Sequence, residues 1–167
     1  VSWLRHPAFH RAAAIALGTV FLYASLDKIA KPGDFARIVY HYQVIGPNAR
    51  LGYVPANLLA VALPWTEALA GVLLIAGVWR REAAAAVALM LLSFMGAVGW
   101  ALYRGIDIQN CGCFTVDGAG RQAGLWLLVG DAALLAMAAL LAAAPARPEA
   151  APAERPEGAL TLPLGHD

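Results

Sequence analysis

Four stretches of this chain are nearly cleared of charge: 12–29, 58–78, 83–103 and 125–144. A helix rises about 1.5 Å per residue, so crossing a hydrocarbon core about 30 Å thick takes roughly 20 apolar residues. The last three stretches meet that length, while the first is short and is closed by Asp27 and Lys28. The pattern predicts an all-α membrane protein, a four-transmembrane-helix bundle. The longest internal polar stretch, 30–57, separates the first two windows; Lys31 and Pro32 open it, and Gly46, Pro47 and Asn48 interrupt it. Within it Phe35, Ile38, Val39 and Tyr42 fall at i, i+3, i+4 and i+7, one apolar face of a short helix. Aromatic and basic residues beside a membrane place that helix in the interface between helices 1 and 2. A cap over the bundle end is a compatible alternative.

Arg80, Arg81 and Glu82 read as a tight turn, which makes the second and third helices antiparallel neighbours. After residue 144 the composition shifts to Pro, Ala and Glu. Such a segment has too little apolar surface to bury, so 145–167 is expected to be a disordered tail and 1–144 the membrane domain. Arg5 and Arg11 ahead of an apolar run give the first window the outline of a secretory signal. A cleavage site needs small residues, and Phe21, Leu22, Tyr23 and Leu26 crowd Ala24. A retained helix is the expectation.

Composition agrees. The chain is 60% hydrophobic and only 14% charged, where a soluble domain carries about 25% charged residues. A formal charge of +1 gives no reason to expect a nucleic-acid partner. The 12 Lys and Arg residues divide evenly between the two sides of a four-crossing topology, so the positive-inside rule does not orient it.

The only two cysteines, Cys111 and Cys113, flank Gly112 in the polar loop 104–124. A disulfide needs its Cα atoms within about 4.4–6.8 Å, and Gly112 permits the bend. A one-residue loop restricts the unfolded chain very little, so a structural staple gains little there. A small strained ring is instead labile and oxidising, which favours thiol–disulfide chemistry with Cys111 and Cys113 as catalytic residues. Disulfides persist in oxidising compartments. That places the loop on the periplasmic or extracellular side of the inner (cytoplasmic) membrane and both termini in the cytoplasm. Arg104 and Arg121 suit a thiolate or anchor the membrane edge. Two thiolates are half a zinc site, with His41 and Asp107 on the same side, but nothing in the sequence gathers them and no metal is expected.

Two acids fall inside apolar windows, Glu67 in the second and Asp131 in the fourth. Ionisable groups at membrane depth are costly, face the bundle interior and often serve function. At roughly 10–20 Å from the outer ends, the two acids are able to share a layer. If they sit close, both cannot ionise comfortably and one holds a proton. With Trp65, they form a candidate quinone or proton site. The alternative for Glu67 is structural: it satisfies the carbonyl freed by Pro64, with Ala68, Ala70 and Gly71 admitting a neighbouring helix. For Asp131 the structural role is favoured. Trp100 and Trp126 lie where interfacial tryptophan is ordinary. The Asp27–Lys28 pair is expected to snorkel to the interface, with Lys28 reaching Asp131 or a thiolate as the alternative.

These residues together resemble the MauE/DoxX family of redox-associated membrane proteins. The resemblance runs from about Leu17 to Leu141, through Asp27, Lys28, Pro32 and Phe35, then 63–67 with Gly71, then Cys111, Gly112, Cys113 and Phe114. Thr115 and Gly130 depart from the family's pattern. The resemblance implies a four-helix membrane bundle that matures or supports exported redox proteins, often beside a thioredoxin-like partner. The leading expectation is a thiol–disulfide oxidoreductase component. It would exchange electrons between its Cys-Gly-Cys pair and an exported thioredoxin-like or disulfide-containing protein, with a quinone as candidate acceptor. The alternative is a non-enzymatic assembly factor with a static disulfide. A third reading, a small-molecule or lipid carrier, draws on Glu67 and Asp131.

Overall fold

The computed structural model describes residues 6–44, 53–106 and 125–144. Cys111, Cys113, Asp107, Arg121 and the tail 145–167 lie outside the described residues. Five helices make up the described chain, with no strand among the described residues: α1 Pro7–Ala30, α2 Pro32–His41, α3 Tyr53–Ala76, α4 Arg80–Tyr103 and α5 Leu125–Ala142.

The first apolar window is the core of a 24-residue helix. Pro7 starts it, a position where a missing N–H costs nothing, and the His6 ring accepts from the Ala8 N–H at 3.4 Å. Pro32 ends it, because proline pushes the preceding residue out of helical geometry; Lys31 sits at φ −131°, ψ 61°. Pro32 then serves as the first residue of α2. The turn between α3 and α4 lies earlier than the sequence pattern suggests. Gly77, at φ 75°, caps α3 by donating its N–H to the Leu73 carbonyl at 2.9 Å. Arg80, Arg81 and Glu82 are therefore the first turn of α4 rather than the connection.

α1, α3 and α4 are long and apolar enough to cross a membrane; α5 is apolar and shorter. At about 1.5 Å per residue, the 18 residues of α5 reach about 27 Å. α1 packs chiefly on α3, α4 on α5, and the α3·α4 and α1·α5 contacts close the ring. The core at one end joins Leu17, Leu74 and Val87 with small residues such as Ala14, Ala84 and Ala138. Outward faces carry Leu69, Val72, Leu89, Leu92 and Leu140, an apolar surface suited to lipid.

α2 packs its apolar face inward. Phe35 and Ala36 are buried with Ala60 of α3, and Tyr42, just past α2, is buried with Val98 and Ala101 of α4 and Leu127 of α5. Tyr40 donates a hydrogen bond to Asn57, tying α2 to α3. The short helix thus covers one end of the long ones.

Candidate functional site

A close crossing of α1 and α3 sets the site. Gly18 of α1 and Gly71 of α3 face each other so closely that a Cβ on Gly18 would lie 2.6 Å from the Gly71 carbonyl oxygen, and one on Gly71 would lie 2.8 Å from that of Gly18. Small residues at such a crossing let backbones approach. Ten residues further along α1 stands Lys28, and four residues back along α3 stands Glu67. The crossing brings them together: Lys28 Nζ donates to Glu67 Oε2 at 2.7 Å and Oε1 at 3.0 Å. The two side chains are only 5% and 10% exposed.

Lys28 does not snorkel, contrary to the sequence expectation. α1 runs two residues beyond it to Ala30, so Lys28 lies in the last turn of the helix on its buried face. A buried ammonium with a carboxylate in contact has no reason to reach for water. Asp27, one position round, faces the other way and pairs with Lys31 at 3.4 Å. Nor does Glu67 serve the carbonyl freed by Pro64 as its main partner, since both carboxylate oxygens accept from Lys28.

Asp131 of α5 is 6% exposed and lines the same cavity as Lys28 and Glu67, a space of about 80 Å³. All five helices contribute to its wall, which is otherwise apolar: Phe21, Phe35, Met90 and Phe94 among others. The Lys28 ammonium stands over the Phe35 ring, 5.4 Å from its centroid, a favourable cation–π position. Tyr42 sits beside this centre, edge-on to Phe94 with ring centroids 6.2 Å apart. Burial first, and then the Asp131 carboxylate, push the Tyr42 phenol above its ordinary value, so it stays a neutral hydroxyl at any physiological pH.

The other residues singled out from sequence lie elsewhere. Trp65 points outward, 62% exposed, and is not part of the cavity wall. Trp100 and Trp126 are also exposed, and Arg104 stacks over the Trp100 ring at 5.5 Å. His41 is exposed, its Nδ1 3.0 Å from the Arg37 carbonyl oxygen, and no cluster of metal-ligating side chains occurs among the described residues. A cavity of about 150 Å³ holds a benzene ring; this one is about half that, so a quinone ring enters only if the helices part.

Sequence reasoning named both acids, and gave Lys28 only as an alternative partner for Asp131, not for Glu67; it offered the covering role of the short helix as an alternative and missed the Gly18 crossing. The usable signal was charge complementarity: one lysine on the buried edge of an apolar window, and two acids deep in others.

Long apolar helices with outward apolar faces and a buried, internally neutralised ion pair define a multi-pass membrane protein. Comparison with protein families matches residues 6–144 to methylamine utilisation protein MauE. The chain belongs to that family. Comparison with curated proteins and with solved structures found no match.

Proposed function

We propose that this chain is a membrane thiol–disulfide redox component that serves exported proteins. The observation that carries the reading is the buried Lys28–Glu67 ion pair, with Asp131 in the wall of the same cavity. α4 runs into the cysteine segment and α5 leaves it, and Tyr42, Val98, Ala101 and Leu127 pack together at that end. A two-electron, two-proton exchange needs groups that take up and release protons, and a buried acid–base centre supplies them. Membership of a methylamine utilisation family fits a role in maturing an exported redox enzyme.

In the exchange, a partner thiolate attacks one sulfur of the oxidised Cys111–Cys113 pair and expels the other as a thiolate. The partner's second thiolate attacks its own sulfur in the mixed disulfide and releases the first. The partner loses two electrons; the pair gains them and two protons. Re-oxidation draws on a disulfide of an exported thioredoxin-like protein or on a quinone. In this reading all four long helices cross the inner membrane, α2 lies at its outer interface, the cysteines face the periplasm and both termini face the cytoplasm. The test is trapping: Cys111→Ser or Cys113→Ser should accumulate a mixed disulfide with an exported protein after acid quench and alkylation. No adduct with either variant counts against exchange.

The family's tie to a single metabolic use favours one other reading, an assembly factor with a static disulfide. Full function in the Cys111→Ser/Cys113→Ser double variant would select it.

A further inference from the structure

We infer that the end of the bundle opposite the Lys28–Glu67 pair holds a binding site for a phosphate group, formed by His10 of α1 and Arg80 of α4. The two helices run parallel. α1 is antiparallel to α3, since Gly18 faces Gly71 while Lys28, further along α1, meets Glu67, further back along α3. The short connection 77–79 then reverses the chain again into α4. The inward faces of α1 and α4 therefore match turn by turn. Phe21 and Leu91 line the same cavity. Leu17 with Val87, then Ala14 with Ala84, follow in one buried core. One turn further back, the same two stripes reach His10 and Arg80.

Both residues are half-buried. Among the described residues, the His10 Nδ1 and the Arg80 Nε are buried without a hydrogen-bond partner. Most buried polar atoms find one, so two unmet nitrogens at one level point to a group that supplies acceptors. The Arg80 guanidinium lies back against Gly77, where an added Cβ would stand 2.7 Å from Nη2. The one acid at that end among the described residues, Glu82, is exposed. The missing partner is therefore an anion with several acceptor oxygens. An edge of the guanidinium fork matches two oxygens of a phosphate, and an imidazole nitrogen carrying its proton donates to a third. Two sources supply such a group: the headgroup of an anionic phospholipid, which basic pockets between membrane helices bind, and free phosphate. Neither the cavity carboxylates nor the cysteines take part.

The test uses the full chain in detergent, titrated with sodium phosphate and, separately, with short-chain phosphatidylglycerol. Sodium chloride at equal ionic strength and a diacylglycerol of the same chain length are the controls. Binding is read by calorimetry and by thermal unfolding. Saturable binding of phosphate, of the phospholipid or of both is expected; the first alone assigns a free anion, the second alone a lipid headgroup. Arg80→Gln should weaken it at least about tenfold, the effect of about 1.4 kcal/mol. Arg81→Gln removes the same charge from an exposed neighbour and should leave binding unchanged. His10→Leu should weaken it too and covers the case in which Arg80→Gln fails to fold. Responses no greater than those to the controls, equal losses in Arg80→Gln and Arg81→Gln, or unchanged binding in a folded Arg80→Gln or His10→Leu variant would overturn the inference. Because the readout is binding, the outcome does not depend on whether the cysteines exchange.

Discussion

Lys28 and Glu67 hold each other in place, and the cost of separating them should far exceed the cost of removing both. Deleting one partner of a buried pair leaves the other charge uncompensated, which costs about 3–5 kcal/mol, whereas a matched apolar pair is often neutral. Lys28→Met and Glu67→Leu should each lower the unfolding temperature sharply in detergent, and the double variant should recover most of the loss. If the pair only packs helices, the double variant also keeps its activity. We expect it to fold and yet fail to cycle its thiols. Tyr42 gives a second test at this scale. Its phenol is raised above the usual 10.0 by burial and by Asp131. The folded state thus prefers the protonated form, and the contribution to stability is whole below the unfolded value of about 10 and is lost as pH climbs from there toward the folded value. Tyr42→Phe should remove that alkaline loss, measured as unfolding temperature against pH. Residue roles were only half legible in sequence. Glu67 and Asp131 announce themselves, because acids at membrane depth need a reason. Their relation to Lys28 depends on where α1 stops, and the pattern ended that helix at the charged pair rather than beyond it.

At the scale of elements, the Gly18–Gly71 crossing decides the geometry of the site. A side chain at Gly18 must displace backbone, since its Cβ would meet the Gly71 carbonyl at 2.6 Å. Overpacking of this kind typically costs 1–3 kcal/mol. Gly18→Val should destabilise by about that much and move Lys28 away from Glu67. Gly96 offers the contrast, because nothing lies within 4 Å of an added Cβ there. Gly96→Ala should be neutral or stabilise by up to about 1 kcal/mol through helix propensity alone. Thermal unfolding of the two variants side by side makes the comparison. The existence of the helices was legible in the chain because long uncharged windows have few other folded solutions. Their ends were not, because they depend on local devices: Pro7 and Pro32 extend and stop α1, and Gly77 moves the α3–α4 turn upstream. The short helix was legible from its four-residue apolar face, which turns out to pack on α3, α4 and α5.

At the scale of the whole molecule, α2 covers the end of the bundle where α4 stops and α5 begins. The proposed topology puts that end outside. In intact cells treated with a reductant, a membrane-impermeant thiol reagent should label Cys111 and Cys113. A cysteine introduced at Arg81, in a double-serine background, should be labelled only after lysis. Labelling in the reverse order would place the thiols in the cytosol and remove the basis for exchange with exported proteins. The family was legible from three short motifs along the chain, and the match over residues 6–144 agrees with that for MauE. The most direct measurement is the bonding state of the Cys111–Cys113 pair in living cells, captured by acid quench and alkylation before and after a pulse of reductant. The account predicts a mixed population that shifts toward thiols and returns, with the return slowed in Glu67→Gln. A pair fixed in one state throughout, in cells where the protein is functioning, would contradict it.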